Sequence, residues 1–124
     1  MRHGSLNLGK IAEAEIVRLS GKLPPEVRAA LEEIPVHLQA RPEAEVAKAC
    51  GDDLLGLFSG EAMHERGETL LPAPPQIHLY LSNIWDEARQ DPVAFREEVR
   101  ITLLHELGHY LGWNEEDMER YGIE

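Results

Sequence analysis

Residues 91–120, "DPVAFREEVRITLLHELGHYLGWNEEDMER", decide how this chain folds. Asp91 and Pro92 open the stretch as a helix opens. An aspartate accepts from free amides ahead of the first turn, and proline is tolerated within it. Apolar residues then run to Leu111, and Gly112 follows, the residue type that most readily ends a helix in a left-handed conformation. The stretch predicts a helix from Pro92 to about Leu111, roughly 30 Å long at 1.5 Å per residue. Asn114 then heads a short second helix that ends near Gly122. Glu115, Glu116 and Asp117 fall in its first turn, where carboxylates complement the positive end of the dipole. Asn114 and Asp117 have the spacing of a capping box.

Working back from this helix, "QIHLYLS" at 76–82 alternates Ile77, Leu79 and Leu81 against His78 and Tyr80, the clearest strand in the chain. Ser82 is placed to cap a helical segment through about Gln90. Residues 61–76 read as a long loop, with Pro72, Pro74 and Pro75 near its end. "DLLGLFSG" reads as a short strand and "PEAEVAKAC" as a short helix. "IPVHLQA" alternates as a half-buried strand. Before it, "PPEVRAALEEI" opens with proline as a second helix. Leu8, Ile11, Ala12, Ile16 and Leu19 space a first helix that Gly21 stops. Helices and strands in this order, with no internal repeat or linker, predict one small α+β domain over residues 1–124.

Of the 124 residues, 12 are Lys or Arg and 23 are Asp or Glu, a formal net charge of −11. That surface repels phosphate backbones and anionic lipid, so neither nucleic acid nor membrane is expected as a partner. Cys50 is the only cysteine, so no internal disulfide is expected. The start of the sequence shows no signal-peptide pattern, and no stretch approaches the roughly 18 apolar residues of a membrane span. A cytoplasmic location is the expectation.

The chemistry sits in "HELGH", residues 105–109. Residues four apart on a helix share a face, so His105 and His109 can converge on one ion, with zinc–nitrogen distances of about 2.0–2.1 Å. Glu106 is turned about 100° from His105. It flanks the ion without competing for it and is placed to take a proton from metal-bound water, whose pKa zinc lowers to about 7. One helical turn thus supplies two ligands and a general base. The same residues on a helix with no metal serve packing or solubility. The long capped helix and Gly112, three residues past His109, favour the metal site.

"HELGHYLGWNE" resembles the extended zincin pattern H-E-x-x-H-x-x-G-x-x-H, in which the glycine turns the chain and the last residue returns to the metal. His105, His109 and Gly112 match, and Glu115 takes the last position with a carboxylate in place of histidine. No separate Met-turn is present, and Met118 is a poor substitute for one. The whole chain is similar to a small bacterial family of minimal, matrix-metalloprotease-like zincins, most closely from "EEVRITLLHELGHYLG" to "NEEDMERYG". That resemblance implies a zincin-like α+β fold, bound Zn2+ and a metallopeptidase acting on peptide or protein. It implies the ligands His105, His109 and Glu115, with Glu106 catalytic. Glu116, Asp117, an upstream residue or no third ligand at all stay open as alternatives, because Glu115 also suits a helix start without any metal.

Two readings of function follow. In one, the chain is a zinc-dependent peptidase; in the other, a non-proteolytic zinc-binding interaction module keeps the same fold. Other residues read more plainly. His78 and Tyr80 are expected on a solvent-facing strand surface, with cleft-edge and oxyanion roles as the sharper alternative. His64 is expected to be exposed, Tyr110 packed, Trp85 and Trp113 in core or cleft wall, and Cys50 buried as a small hydrophobe.

Overall fold

Helix α5, Pro92–Leu111, is the axis of the molecule. The computed structural model describes residues 7–65 and 73–121. Asp91 caps α5 by accepting from the Ala94 amide at 2.8 Å, and Pro92 fills the first turn. Phe95, Val99, Leu103 and Leu107 recur every fourth residue along one stripe and are fully buried. Each such side chain contributes about 1.5–3 kcal/mol over remaining exposed.

Ahead of α5 the chain forms α1 (Leu8–Ser20), α2 (Pro25–Glu33), β1 (Val36–Gln39), α3 (Ala44–Cys50), β2 (Gly56–Ser59), β3 (Gln76–Tyr80) and α4 (Leu81–Glu87). After it comes α6, Glu115–Arg120. The strands make one sheet in the order β1-β3-β2. β1 runs parallel to β3, pairing Val36 with Ile77, and β2 runs antiparallel, pairing Phe58 with Ile77. Ile77 and Leu79 of the central strand join the same buried cluster as the α5 stripe. α1 packs on α5 and contributes Ala12 and Leu19 to that core. This is the expected small α+β architecture. A single 3₁₀ turn, Met63–Glu65, lies within the long predicted loop, whose residues 66–72 are outside the described residues. The expected end of α6 near Gly122 is outside them as well.

Five expectations are corrected. Strand β3 ends at Tyr80, and Leu81 already belongs to α4; the cap position is Tyr80, with no side-chain bond, so Ser82 lies inside the helix. α4 stops at Glu87, and Arg89 and Gln90 take positive φ (56° and 59°) to turn the chain into α5. Tyr80 is 1% exposed, not solvent-facing. Burial first, then Glu43, Cys50 and Glu106, push its phenol above the ordinary value, which makes it a poorer proton donor to an oxyanion. β3 is also the middle strand, so no substrate can pair with it; the edge strands are β1 and β2. Cys50, expected to be buried, is exposed at the end of α3.

Candidate metal centre

The C-terminal half of α5 carries the site. His105 and His109 are exposed side by side, ring centroids 4.9 Å apart and inclined at 63°. Glu106, one step round the helix, is 7% exposed. Its Oε1 lies 3.4 Å from His109 Nδ1. It also accepts from the backbone N–H of Phe58 on β2. Antiparallel pairing with Tyr80 N bonded to Leu55 O turns the Phe58 amide away from β3, toward the free edge where Glu106 meets it. Burial pushes the Glu106 carboxyl above its ordinary value, while His109, His105 and the Phe58 hydrogen bond oppose that rise.

Glycine lets β2 come this close. A Cβ on Gly56 would lie 2.7 Å from Thr102 Cγ2, 3.1 Å from the His78 carbonyl oxygen and 3.3 Å from Glu106 Cγ. The loop leading into β2 is pinned by buried Asn83, whose Nδ2 donates to the Asp52 and Leu54 carbonyls at 2.9 and 2.8 Å. Arg41 Nη1 donates to the Oδ1 of the same asparagine. Neither Gly56 nor Phe58 was recognised in the sequence as part of the site. The one available signal was the glycine interrupting the apolar run "DLLGLF".

The chain returns as the motif requires. Gly112 is left-handed (φ 72°, ψ 30°). Trp113 N donates to Gly108 O at 2.9 Å and Gly112 N to His109 O at 3.3 Å, the paired bonds of a Schellman turn. The returning segment lands on Gly108, where a Cβ would be 2.7 Å from Met118 Cε and 2.9 Å from Trp113 Cε3. Trp113 stacks on Tyr121, centroids 4.5 Å apart and 5° from parallel. A cavity of about 710 Å³ results, lined by His105, His109, Trp113, Glu115, Met118 and Glu119. Trp113 is thus cleft wall, while Trp85 is core, edge-on to Phe95. Tyr110 is fully buried, as expected. His64 is exposed, as expected, yet it lies beside the helix end: a Cβ on Gly112 would be 3.9 Å from its Nδ1.

The acidic residues after Gly112 divide by what they already do. Asp117 Oδ2 accepts from the Asn114 amide at 3.1 Å, and Asn114 Oδ1 accepts from the Asp117 amide at 2.9 Å. Asp117 also lies 3.8 Å from Arg120. That carboxylate is engaged. Glu116 does not line the cavity, whereas Glu115 and, one turn on, Glu119 do. Among the described residues no three His, Cys, Asp or Glu side chains are gathered closely enough to hold an ion. In kind the donors fit zinc: two imidazoles side by side with carboxylates on the facing wall of one cavity.

A family model for zincin-like metallopeptidases matches residues 31–123. The chain belongs to the zincin-like metallopeptidase family. No curated protein matches it. Membership implies a metal, typically zinc, and the matched span takes in every strand, α5 and α6 of this zincin-like chain. No described helix is long and apolar enough to cross a membrane.

Proposed function

We propose that this zincin-like chain is a zinc-dependent peptidase. One observation carries the reading: His105 and His109 open onto a single cavity while the carboxylate next to them in sequence is buried against His109 and a strand amide. His105 and His109 would hold the ion, and Glu115, at the first position of α6, would complete the set. Zinc, when bound, acidifies water and polarises a scissile carbonyl. Glu106 takes the proton of the attacking water and delivers it to the leaving amine. Its burial suits that role, because a carboxyl held above the usual range is the stronger base. The Phe58 amide and His109 keep it aimed. β2, an edge strand beside α5 among the described residues, would offer its outward-facing backbone groups other than the Phe58 amide to an extended peptide.

The test compares wild type with Glu106→Gln, both loaded with zinc and both checked for stoichiometric metal, against a broad peptide library read by mass spectrometry. Equal zinc content and loss of cleavage in the variant are expected. Equal cleavage by both overturns the mechanism. Stoichiometric zinc in a wild type that cleaves nothing leaves the non-proteolytic binding module as the reading.

A further inference from the structure

Among the described residues β1 is the other edge strand of the sheet, on the side away from β2. Ile77 N donates to Pro35 O at 3.0 Å. In the parallel register of Val36 with Ile77 and Leu38 with Leu79, residues 37 and 39 then face β3. The N–H and C=O groups of Val36 and Leu38 point outward, with no hydrogen-bond partner among the described residues. They open into a cavity of about 970 Å³.

Three features define what this cavity accepts. Its far wall is apolar, formed by Ile16 and Val17 of α1, and Val17 is 72% exposed, the most exposed large hydrophobic side chain described. Its charges are the carboxylates of Glu13 and Glu43, and no Lys or Arg lines it. It is also lined by two stacked rings, His37 on His78, with centroids 4.8 Å apart. Gln76 bonds His37 Nε2 at 2.8 Å and Gln39 bonds His78 Nδ1 at 2.7 Å, fixing both rings. Burial, followed by His37, lowers the His78 pKa below 6.5, so that ring is neutral at neutral pH and does not offset the carboxylates.

We propose that the open edge of β1 is a docking site for an extended peptide that alternates apolar and basic side chains and adds to the sheet as a fourth strand. Main-chain bonds to Val36 and Leu38 supply the attachment. Apolar side chains cover Val17 and Ile16, and lysine or arginine side chains meet Glu13 and Glu43. A second copy of the chain fits less well, since it brings another −11 net charge to the seam. The proposal is independent of the peptidase reading: it concerns the opposite edge of the sheet and needs neither metal nor Glu106.

The probe is a fluorescein-labelled peptide of alternating valine and lysine. Binding is followed by anisotropy, and amide hydrogen exchange at single residues is followed by NMR on the full chain. Saturable binding is expected, with exchange slowed at Val36 and Leu38 and unchanged at His37 and Gln39. The double variant Glu13→Lys, Glu43→Lys is expected to weaken binding at least tenfold while keeping the wild-type melting temperature. The proposal is overturned by equal binding of a valine–glutamate peptide, by binding that leaves Val36 and Leu38 exchange unaltered, or by no binding at millimolar peptide. Slow exchange of both amides in the free protein also overturns it. If independent of protein concentration, that result assigns the edge to the chain's own residues; if it grows with concentration, to a second copy.

Discussion

Replacing Gly56 by alanine tests whether strand β2 rests directly on the helix that carries Glu106. The glycine has no left-handed φ, so alanine adds no backbone strain and by itself stabilises by about 0.4–1 kcal/mol through the unfolded state. Against that gain, the new methyl would sit 2.7 Å from Thr102 Cγ2 and 3.1 Å from a backbone oxygen in the central strand. Overpacking of this kind costs about 1–3 kcal/mol, and the backbone contact cannot be relieved by a rotamer change. The net expectation is about 1–2 kcal/mol of destabilisation. Urea unfolding reads this as a lower midpoint at an unchanged slope. Thr102→Ala removes the nearer contact. In that background Gly56→Ala is expected to cost less, by a coupling of about 0.5–1.5 kcal/mol. A Gly56→Ala protein as stable as wild type, or a double-mutant cycle with no coupling, would refute the close approach and with it the account of how Glu106 is held.

Three further outcomes are expected. Chelator-treated protein should keep a cooperative thermal transition, because the α5 stripe and the sheet form a core without the ion; zinc at a hundredfold excess over its dissociation constant should add about 2.7 kcal/mol, and His105→Ala should abolish that increment. Absence of any cooperative transition after chelation contradicts this. Gly112→Ala places a side chain at φ 72° and should cost about 1–2 kcal/mol by thermal or urea unfolding; a neutral result means that the turn is not left-handed. His78 has a lowered pKa in the fold, so the unfolded chain binds more protons between the folded value and 6.5. Its contribution is therefore complete above pH 6.5 and is lost as pH falls through that window. Wild type should lose more urea resistance than His78→Gln between pH 7.5 and pH 5, and equal losses would remove His78 from the balance.

The features written locally were the ones the sequence disclosed. Asp91–Pro92, Gly112 and the Asn114–Asp117 pair each specify their own turn through bonds spanning a few residues, and α5, its reversal and the α6 cap follow from them. The period of four that aligns His105 with His109 is likewise local. Features set by distant contacts were not readable. Tyr80 has the alternation of an exposed residue but ends on the middle strand, since strand order depends on pairings between segments far apart in sequence. The support of Glu106 by Phe58 spans nearly fifty residues and uses a main-chain amide, which carries no residue signature. Glu115 shows a third limit. It satisfies both a helix start and a ligand position, and the fold places it on the cavity wall without bringing three donors together.

The Schellman turn at Gly112 puts both imidazoles and the carboxylates Glu115 and Glu119 on one hairpin of fifteen residues, 105–119, whereas one of the two partners that steady Glu106, the Phe58 amide, belongs to the sheet. On the proposed reading, ion capture would rest on the hairpin alone and proton transfer also on the sheet, parts of the molecule that can come apart separately. If strand β2 frays while the helical hairpin persists, such a chain would still sequester metal but would lose the aim of its base. A partly opened molecule would then be a scavenger of zinc and not a stray protease.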